Sequence, residues 1–479
     1  RDGRITAVEA EVIADGGAYA STSVEVTKVA TLFANGCYDV PNIAVDGYAV
    51  YTNNIPAGAF RGFGAPQAQF ASEIMVTRLA HALGMDPIEL RRRNIYREGS
   101  LESSQRPLPP GVSALPVLER CVQEARERMG YGAGEVSSSP PPLPPAVGRG
   151  ANGAICESSS PSSRGKRGSG GEAATQPSHL RRGVGIACGI KNVGYSFGYP
   201  EQATATVEIF GKAELERAVV RLGAADVGQG AHLAMRQIAA EALGVPLEKV
   251  ELVAEDSSLA PNAGSASASR MTLMGGRAVH DAALAARQEW SATENETAQA
   301  TVQYRPPATT PLDPTTGEGT PNYCYGYAAQ AVEVEVNTLT GQVRLLKIIS
   351  VHDVGRAINR QQVEGQIEGC LAQAVGYALL EDFQMRDGRA LTPYFSTYLL
   401  PTALDMPPEI VPVILELADP NGPYGARGVA EMPLVPLAPA IAAAIHDATG
   451  VWLTRQPMTP ERVLAALHGR SGTGDTESR

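Results

Sequence analysis

With 479 residues, 43% hydrophobic and 19% charged, the chain has apolar content enough for two or more domains, each with a buried core. A net charge of −11 speaks against a basic, phosphate-tracking surface and so against nucleic acid as a partner. The six cysteines are scattered singly and no two histidines have metal-ligand spacing, which excludes a zinc or iron–sulfur motif within the chain and a disulfide framework, and fits a cytoplasmic, reducing setting. No apolar run approaches the roughly 20 residues of a membrane span.

The chain opens Arg1-Asp-Gly-Arg4, a turn feeding a strand, with neither an initiating Met nor a signal-type apolar segment, and it reads as cut from a longer polypeptide. Ile5 to Ile13 alternates apolar and polar residues and breaks at Asp15-Gly-Gly17, as a half-buried strand does. From Gln67 to Leu83 the apolar residues Phe70, Ile74, Leu79 and Leu83 predict a helix. Another opens at Asp86-Pro-Ile-Glu89, where Asp can cap and Pro suits the first turn. A third is carried by Leu118, Cys121, Val122, Ala125 and Met129. Composition then changes abruptly. Residues 131–180 are Ser-, Pro- and Gly-rich, too poor in apolar surface to offset chain entropy, and predict a disordered insertion, as residues 471–479 predict a disordered tail.

Order returns at Arg181. Ala203–Phe210 with Leu215–Leu222, and Ala331–Val336 with Val343–Ile349, predict two hairpins that turn at Gly211-Lys212 and at Gly341. Each is followed by the same tripeptide and a helix: Asp226-Val-Gly-Gln229-Gly230 before a helix through Leu243, and Asp353-Val-Gly before a helix through Leu380. Strand, glycine turn and helix N-terminus together can form an anion site, although the glycines can also be no more than tight turns. Gly183-Val-Gly185 lacks a complete G-x-G-x-x-G, and no phosphate role follows from it.

Four loops carry the chemistry. Phe60-Arg61-Gly-Phe63-Gly64 sets two rings and a cation among glycines, suited to a flat ligand or to a core plug. Tyr195-Ser-Phe197-Gly-Tyr-Pro200 is a second aromatic and glycine element, which alone would be a packing loop. Ser265-Ala-Ser267-Ala268-Ser269 is a run of small side chains that lets a ligand sit on backbone or serves as a hinge. Gly425-Ala-Arg427-Gly-Val-Ala-Glu431-Met-Pro presents one carboxylate in an apolar loop bracketed by glycine and proline. Such a carboxylate suits a general base, or it caps the helix that follows through Ile441–Ile445.

In this order, Phe60-Arg-Gly-Phe-Gly-Ala-Pro-Gln67, Val227-Gly-Gln229-Gly230, Ser265-Ala-Ser-Ala-Ser269, Val363-Glu-Gly-Gln366-Ile-Glu-Gly369 and Gly428-Val-Ala-Glu431 resemble the molybdenum-binding subunit of the xanthine dehydrogenase and aldehyde oxidase family. The resemblance implies an α+β fold in which two related molybdopterin-binding modules of mixed β-sheets with flanking helices enclose the cofactor, with residues 1–130 the remainder of the first module and 181–470 the second. It implies a molybdenum-pyranopterin, as molybdopterin or its cytosine dinucleotide form, with no side chain ligating the metal. Glu431 matches the family's catalytic glutamate, the base in a water-derived hydroxylation. Phe63 and Phe197 match rings that sandwich a planar substrate, and Phe60, Arg61, Gln229, Gly230, Ser267, Ala268, Ser269 and Gln366 match positions lining the cofactor. A purine or other N-heteroaromatic substrate is therefore expected, with aldehyde oxidation the alternative within the family and a non-catalytic remnant serving as an assembly surface the alternative outside it. Iron–sulfur and FAD subunits are the implied partners, in an assembly such as a dimer of heterotrimers. A basic residue contacting purines would fall near Lys28, and a glycine-rich cofactor loop would lie upstream of the first residue.

Overall fold

A computed structural model describes residues 2–132, 179–292 and 296–469. The expected insertion at 131–180 falls almost wholly, and the tail at 471–479 wholly, outside the described residues. The amino-terminal stretch forms β1 (Val8–Gly17), α1 (Ser23–Leu32), β2 (Ile43–Tyr51), α2 (Ala65–Leu83), α3 (Pro87–Asn94) and α4 (Ala114–Met129). Asp86 caps α3 as expected, its carboxylate accepting from the amides of Ile88 and Glu89. The next stretch forms β3 (Leu180–Asn192), β4 (Ala203–Phe210), β5 (Arg217–Arg221), α5 (Ala231–Leu243), β6 (Val250–Val253), α6 (Gly276–Ala292) and β7 (Thr297–Tyr304). The last forms β8 (Tyr325–Asn337), β9 (Val343–Asp353), α7 (Arg360–Val375), β10 (Met385–Arg386), β11 (Arg389–Ala390), β12 (Glu409–Leu415), α8 (Leu437–Thr449) and α9 (Pro460–Leu467).

Two four-stranded mixed sheets organise the molecule. One runs β12-β9-β8-β3, with β12 parallel to β9 and the other pairs antiparallel. The other runs β6-β5-β4-β7, with β6 parallel to β5 and the rest antiparallel. The predicted hairpins are thus β4 with β5 and β8 with β9. β1 and β2 make a separate parallel pair.

The first sheet is buried on both faces. Ile186, Cys188 and Ile190 of β3 pack with Leu118, Cys121 and Val122 of α4, while Ala187 packs on the opposite side with Ile441 and Ile445 of α8. That period of two, with apolar residues at every step, is what a doubly covered strand requires. Burying a leucine such as Leu118 contributes about 2 to 3 kcal/mol before chain entropy is charged against it. Gly183 and Gly185 find their purpose here. A Cβ on either would sit 2.3 Å or 2.1 Å from the Ala444 or Ala440 carbonyl oxygen of α8, so these glycines admit a helix backbone.

As the edge strand of its sheet, β3 needs partners for its outer backbone groups. Side chains supply them: Gln69 accepts from the Ile190 amide and donates to its carbonyl, Glu73 accepts from Cys188, and Asp447 accepts from Val184. α2 is thereby fastened along the strand whose end reaches the site. The second sheet packs Val207, Ile209 and Val220 against Met235 and Ile238 of α5 and Val279 and Ala283 of α6.

Candidate active site

A cavity of about 620 Å³ lies where α5, α7, the Ser265–Ser269 loop and the Glu431 loop meet. Arg61, Gln229, Gly230, Ser267, Ala268, Ser269, Gln366 and Glu431 all line it, although they are drawn from segments up to 370 positions apart. Phe60 does not; its ring stacks on Tyr377 at 5.5 Å between centroids and packs against the core beneath α7. Phe63 and Phe197 are half-buried beside the hydrophobic cluster of the first sheet, and neither is on the wall of this cavity. Lys28 lies on α1 in an exposed pair with Glu25.

The tripeptide repeats build two corners of the cavity. Asp226 accepts from the amides of Gly228, Gly230 and His232; burial opposes its charge, but those amides outweigh it and hold its carboxyl below the usual range. Gly230, at φ +82°, then starts α5. In the second copy Asp353 accepts from Gly355 and Leu417. Both aspartates therefore shape their turns by taking up glycine amides, and the first turns of α5 and α7 line the cavity. Gln229 folds back on its own turn, accepting from the Val227 amide and donating to the Ala225 carbonyl.

Arg61 joins three elements. Its guanidinium donates to Gln373 at 2.9 Å, to Gln366 at 3.0 Å and to the Ala430 carbonyl, next to Glu431. On the other wall, Ala268 and Ser269 adopt left-handed backbone at φ +52° and +56°, and Gly428 packs so closely on Ser269 that a Cβ there would fall 2.0 Å from its carbonyl oxygen. Of nine non-glycine residues with positive φ among the described residues, four are Phe63, Phe197, Ala268 and Ser269. Backbone strain of this kind, about 1 to 3 kcal/mol per residue, persists where surrounding structure enforces it, and it gathers at these loops.

Glu431 is 12% exposed. Its side chain does not cap the short turn Met432–Leu434 that follows; Oε2 accepts from the Ser269 hydroxyl at 2.9 Å and stands 3.7 Å from Lys191 Nζ. Among the described residues Oε1 has no hydrogen-bond partner. The loop is clamped on both sides. Four residues before Glu431, buried Arg427 pairs with Asp353 at 3.3 Å and Asp419 at 3.6 Å and donates to the Tyr325 and Gly111 carbonyls. Two residues after it, Gln330 holds the Pro433 carbonyl at 2.7 Å, backed by Ser350 and His352.

Three contributors were not apparent from sequence. Lys191 stands next to last in β3, a lone charge after the uncharged run 183–190, and that is the signal the sequence offers. Arg427 stood inside a recognised motif without partners visible nearby. Glu201 and Arg270 form a buried pair at 3.2 Å that joins the Tyr195 loop to the Ser265–Ser269 loop: Glu201 accepts from the Tyr195 amide, and Arg270 donates to the Ala263 and Ser265 carbonyls. Burial pushes the Glu201 carboxyl up, against the opposing pull of the Tyr195 amide and Arg270.

The fold and site together define a cofactor-binding chain: a polar cavity with an arginine fork, helix ends and close-packed backbone, and one carboxylate on its wall. Models of the molybdopterin cofactor-binding domain match residues 1–95, 161–304 and 285–407. The chain is 32% identical to one of the probable xanthine dehydrogenase subunits of Bacillus subtilis (strain 168), over 97% of this chain and 60% of the relative. It is 31% identical to an aldehyde oxidoreductase of Megalodesulfovibrio gigas, over 98% of this chain and 48% of the relative. The solved structure of the aldehyde oxidoreductase from Desulfovibrio gigas superposes with a TM-score of 0.79 at 29% identity, covering 98% of this chain and 48% of that one. The chain belongs to the molybdopterin-binding subunits of the xanthine dehydrogenase and aldehyde oxidoreductase family, a family of molybdenum hydroxylases, and spans about half to three-fifths of the length of these relatives.

Proposed function

We infer that this chain is the catalytic subunit of a molybdenum hydroxylase that oxidises an electron-poor C–H of a purine or other N-heteroaromatic compound, with oxygen derived from water. One observation carries the reading: Glu431 lines the same cavity as Arg61, Ser267–Ser269 and Gln366, held at one oxygen and, among the described residues, without a hydrogen-bond partner at the other. The donors around the cavity suit an anionic, polar pterin. Arg61, the Gln229-Gly230 turn at the start of α5, the backbone of Ser267–Ser269 and Gln366 would hold it. When bound, the molybdenum-pyranopterin supplies a two-electron oxidising centre.

The chain's own residues do the rest. Glu431 Oε1 takes the proton released as the attacking oxygen forms its bond to the substrate carbon. Ser269 fixes Oε2 so that the free oxygen keeps its aim. Stacking of a planar substrate by Phe63 and Phe197 rests on the family resemblance of their loops; both rings lie beside the core of the first sheet, off the wall of this cavity. Iron–sulfur and FAD subunits would carry the electrons away. Aldehyde oxidation is the second reading, favoured by the similarity to aldehyde oxidoreductases.

The test is molybdenum analysis of the complex purified with its partner subunits, and turnover of hypoxanthine, nicotinate and an aldehyde. Stoichiometric molybdenum with preference for the heterocycles supports the proposal. Preference for the aldehyde selects the second reading, and a soluble complex without molybdenum or turnover contradicts both.

A further inference from the structure

Lys191 is the last residue but one of β3 and is only 4% exposed, where an ammonium needs compensation for lost water. Two of its protons go to Asn192, to the backbone carbonyl at 3.0 Å and to Oδ1 at 2.6 Å. Those acceptors are neutral. Among the described residues, the carboxylate paired with it is Glu431, 3.7 Å from Nζ. Burial pushes the Lys191 ammonium below the usual lysine range, and the charge of Glu431 offsets part of that.

The surrounding charges are already engaged. Glu201 pairs with Arg270, Arg427 with Asp353 and Asp419, and the Arg61 guanidinium is spent on Gln366, Gln373 and the Ala430 carbonyl. Arg356 also lines the cavity, and from α7 the Cys370 thiol, pushed up to about 12 by burial, faces Glu431, but the cation within ion-pair distance of Glu431 among the described residues is Lys191. Lysine and serine approach the same oxygen, Oε2, so the carboxylate is oriented and its charge balanced from one side.

We propose that Lys191 is a positioning residue that balances the charge of Glu431 from the Oε2 side and keeps Oε1 aimed at the cavity, and so shapes the acid side of the enzyme's pH profile. The inference rests on the role given to Glu431 above. An opposite charge within about 4 to 6 Å favours the charged form of a carboxyl, so removing the lysine charge is read in the pH profile of turnover.

The experiment uses the holoenzyme carrying Lys191→Gln, which keeps hydrogen bonding to Asn192 but not the charge, with Lys191→Arg as the charge-retaining control. The acid limb of kcat/KM is expected to move up by about one pH unit or more in Lys191→Gln, a loss of roughly tenfold below the limb. Lys191→Arg is expected to leave the limb near its original position. In parallel, infrared titration follows the carboxyl band that disappears in Glu431→Gln, and this band is expected to move with the limb. A limb and band unmoved in Lys191→Gln, or moved equally in Lys191→Arg, overturn the proposal. If the holoenzyme oxidises neither heterocycles nor aldehydes, the functional reading fails, and the infrared titration still decides the role of Lys191.

Discussion

Gly428→Ala is the sharpest perturbation of the contact between the Glu431 loop and Ser269. A Cβ at this position would lie 2.0 Å from the Ser269 carbonyl oxygen and 2.9 Å from its Cβ. Real Cβ contacts do not fall below about 3.0 Å, so the two backbones must part by about 1 Å. Overpacking of this kind costs about 1 to 3 kcal/mol, and the upper end applies because backbone, not a flexible side chain, obstructs the new methyl. Ser269 carries the hydrogen bond to Glu431 Oε2, so its displacement misplaces the carboxylate as well. A misplacement of about 1 Å at a reacting group can cost on the order of a hundredfold in rate. The assay is thermal unfolding of the purified complex alongside steady-state kinetics on its preferred substrate. A melting temperature lower by a few degrees and kcat/KM lower by about a hundredfold are expected. Wild-type values of both would refute the claim that contact between these two loops sets the geometry of Glu431.

Arg61→Lys replaces a planar fork with a point charge and cannot satisfy Gln366, Gln373 and the Ala430 carbonyl together. Losing one charge-assisted bond, about 1.5 to 3 kcal/mol, predicts a roughly 10- to 100-fold fall in kcat/KM with reduced molybdenum per protein; full retention of both contradicts the bridging role. His352 gives a pH test of the scaffold. Burial pushes its pKa from 6.5 down to about 3, so the folded state binds fewer protons than the unfolded chain between those values. Its contribution is fully present above pH 6.5 and is lost as the pH falls through that window, amounting to roughly 2 to 3 kcal/mol at pH 4.5. His352→Gln, which can still bond Ser350, is expected to lose less melting temperature between pH 7 and 4.5 than the wild type; equal losses would contradict the assignment.

Local signals made much of the fold readable. The hairpins announced themselves by alternation and a turn, α3 by its aspartate cap, and the two Asp-Val-Gly corners by repetition. The same stretches carried the loops that converge on the cavity, because glycines and small side chains are needed wherever backbone approaches backbone or a ligand. What stayed hidden was relational. Arg427 acquires meaning only when Asp353 and Asp419, far along the chain, close around it, and Gln69 becomes a partner of β3 only once α2 lies on that edge. Lys191 was concealed for the same reason: its partner lies 240 positions away. Phe60 shows the converse, since a ring in a glycine-rich loop reads as ligand-facing, whereas here stacking on Tyr377 satisfies it.

The most direct measurement is the turnover of the molybdenum-loaded complex carrying Glu431→Gln. This change keeps the side chain's shape and an oxygen for Ser269 while removing the base. Unchanged molybdenum content with kcat reduced by about a hundredfold to ten-thousandfold is expected; loaded enzyme turning over at the wild-type rate would show that Glu431 is not the base.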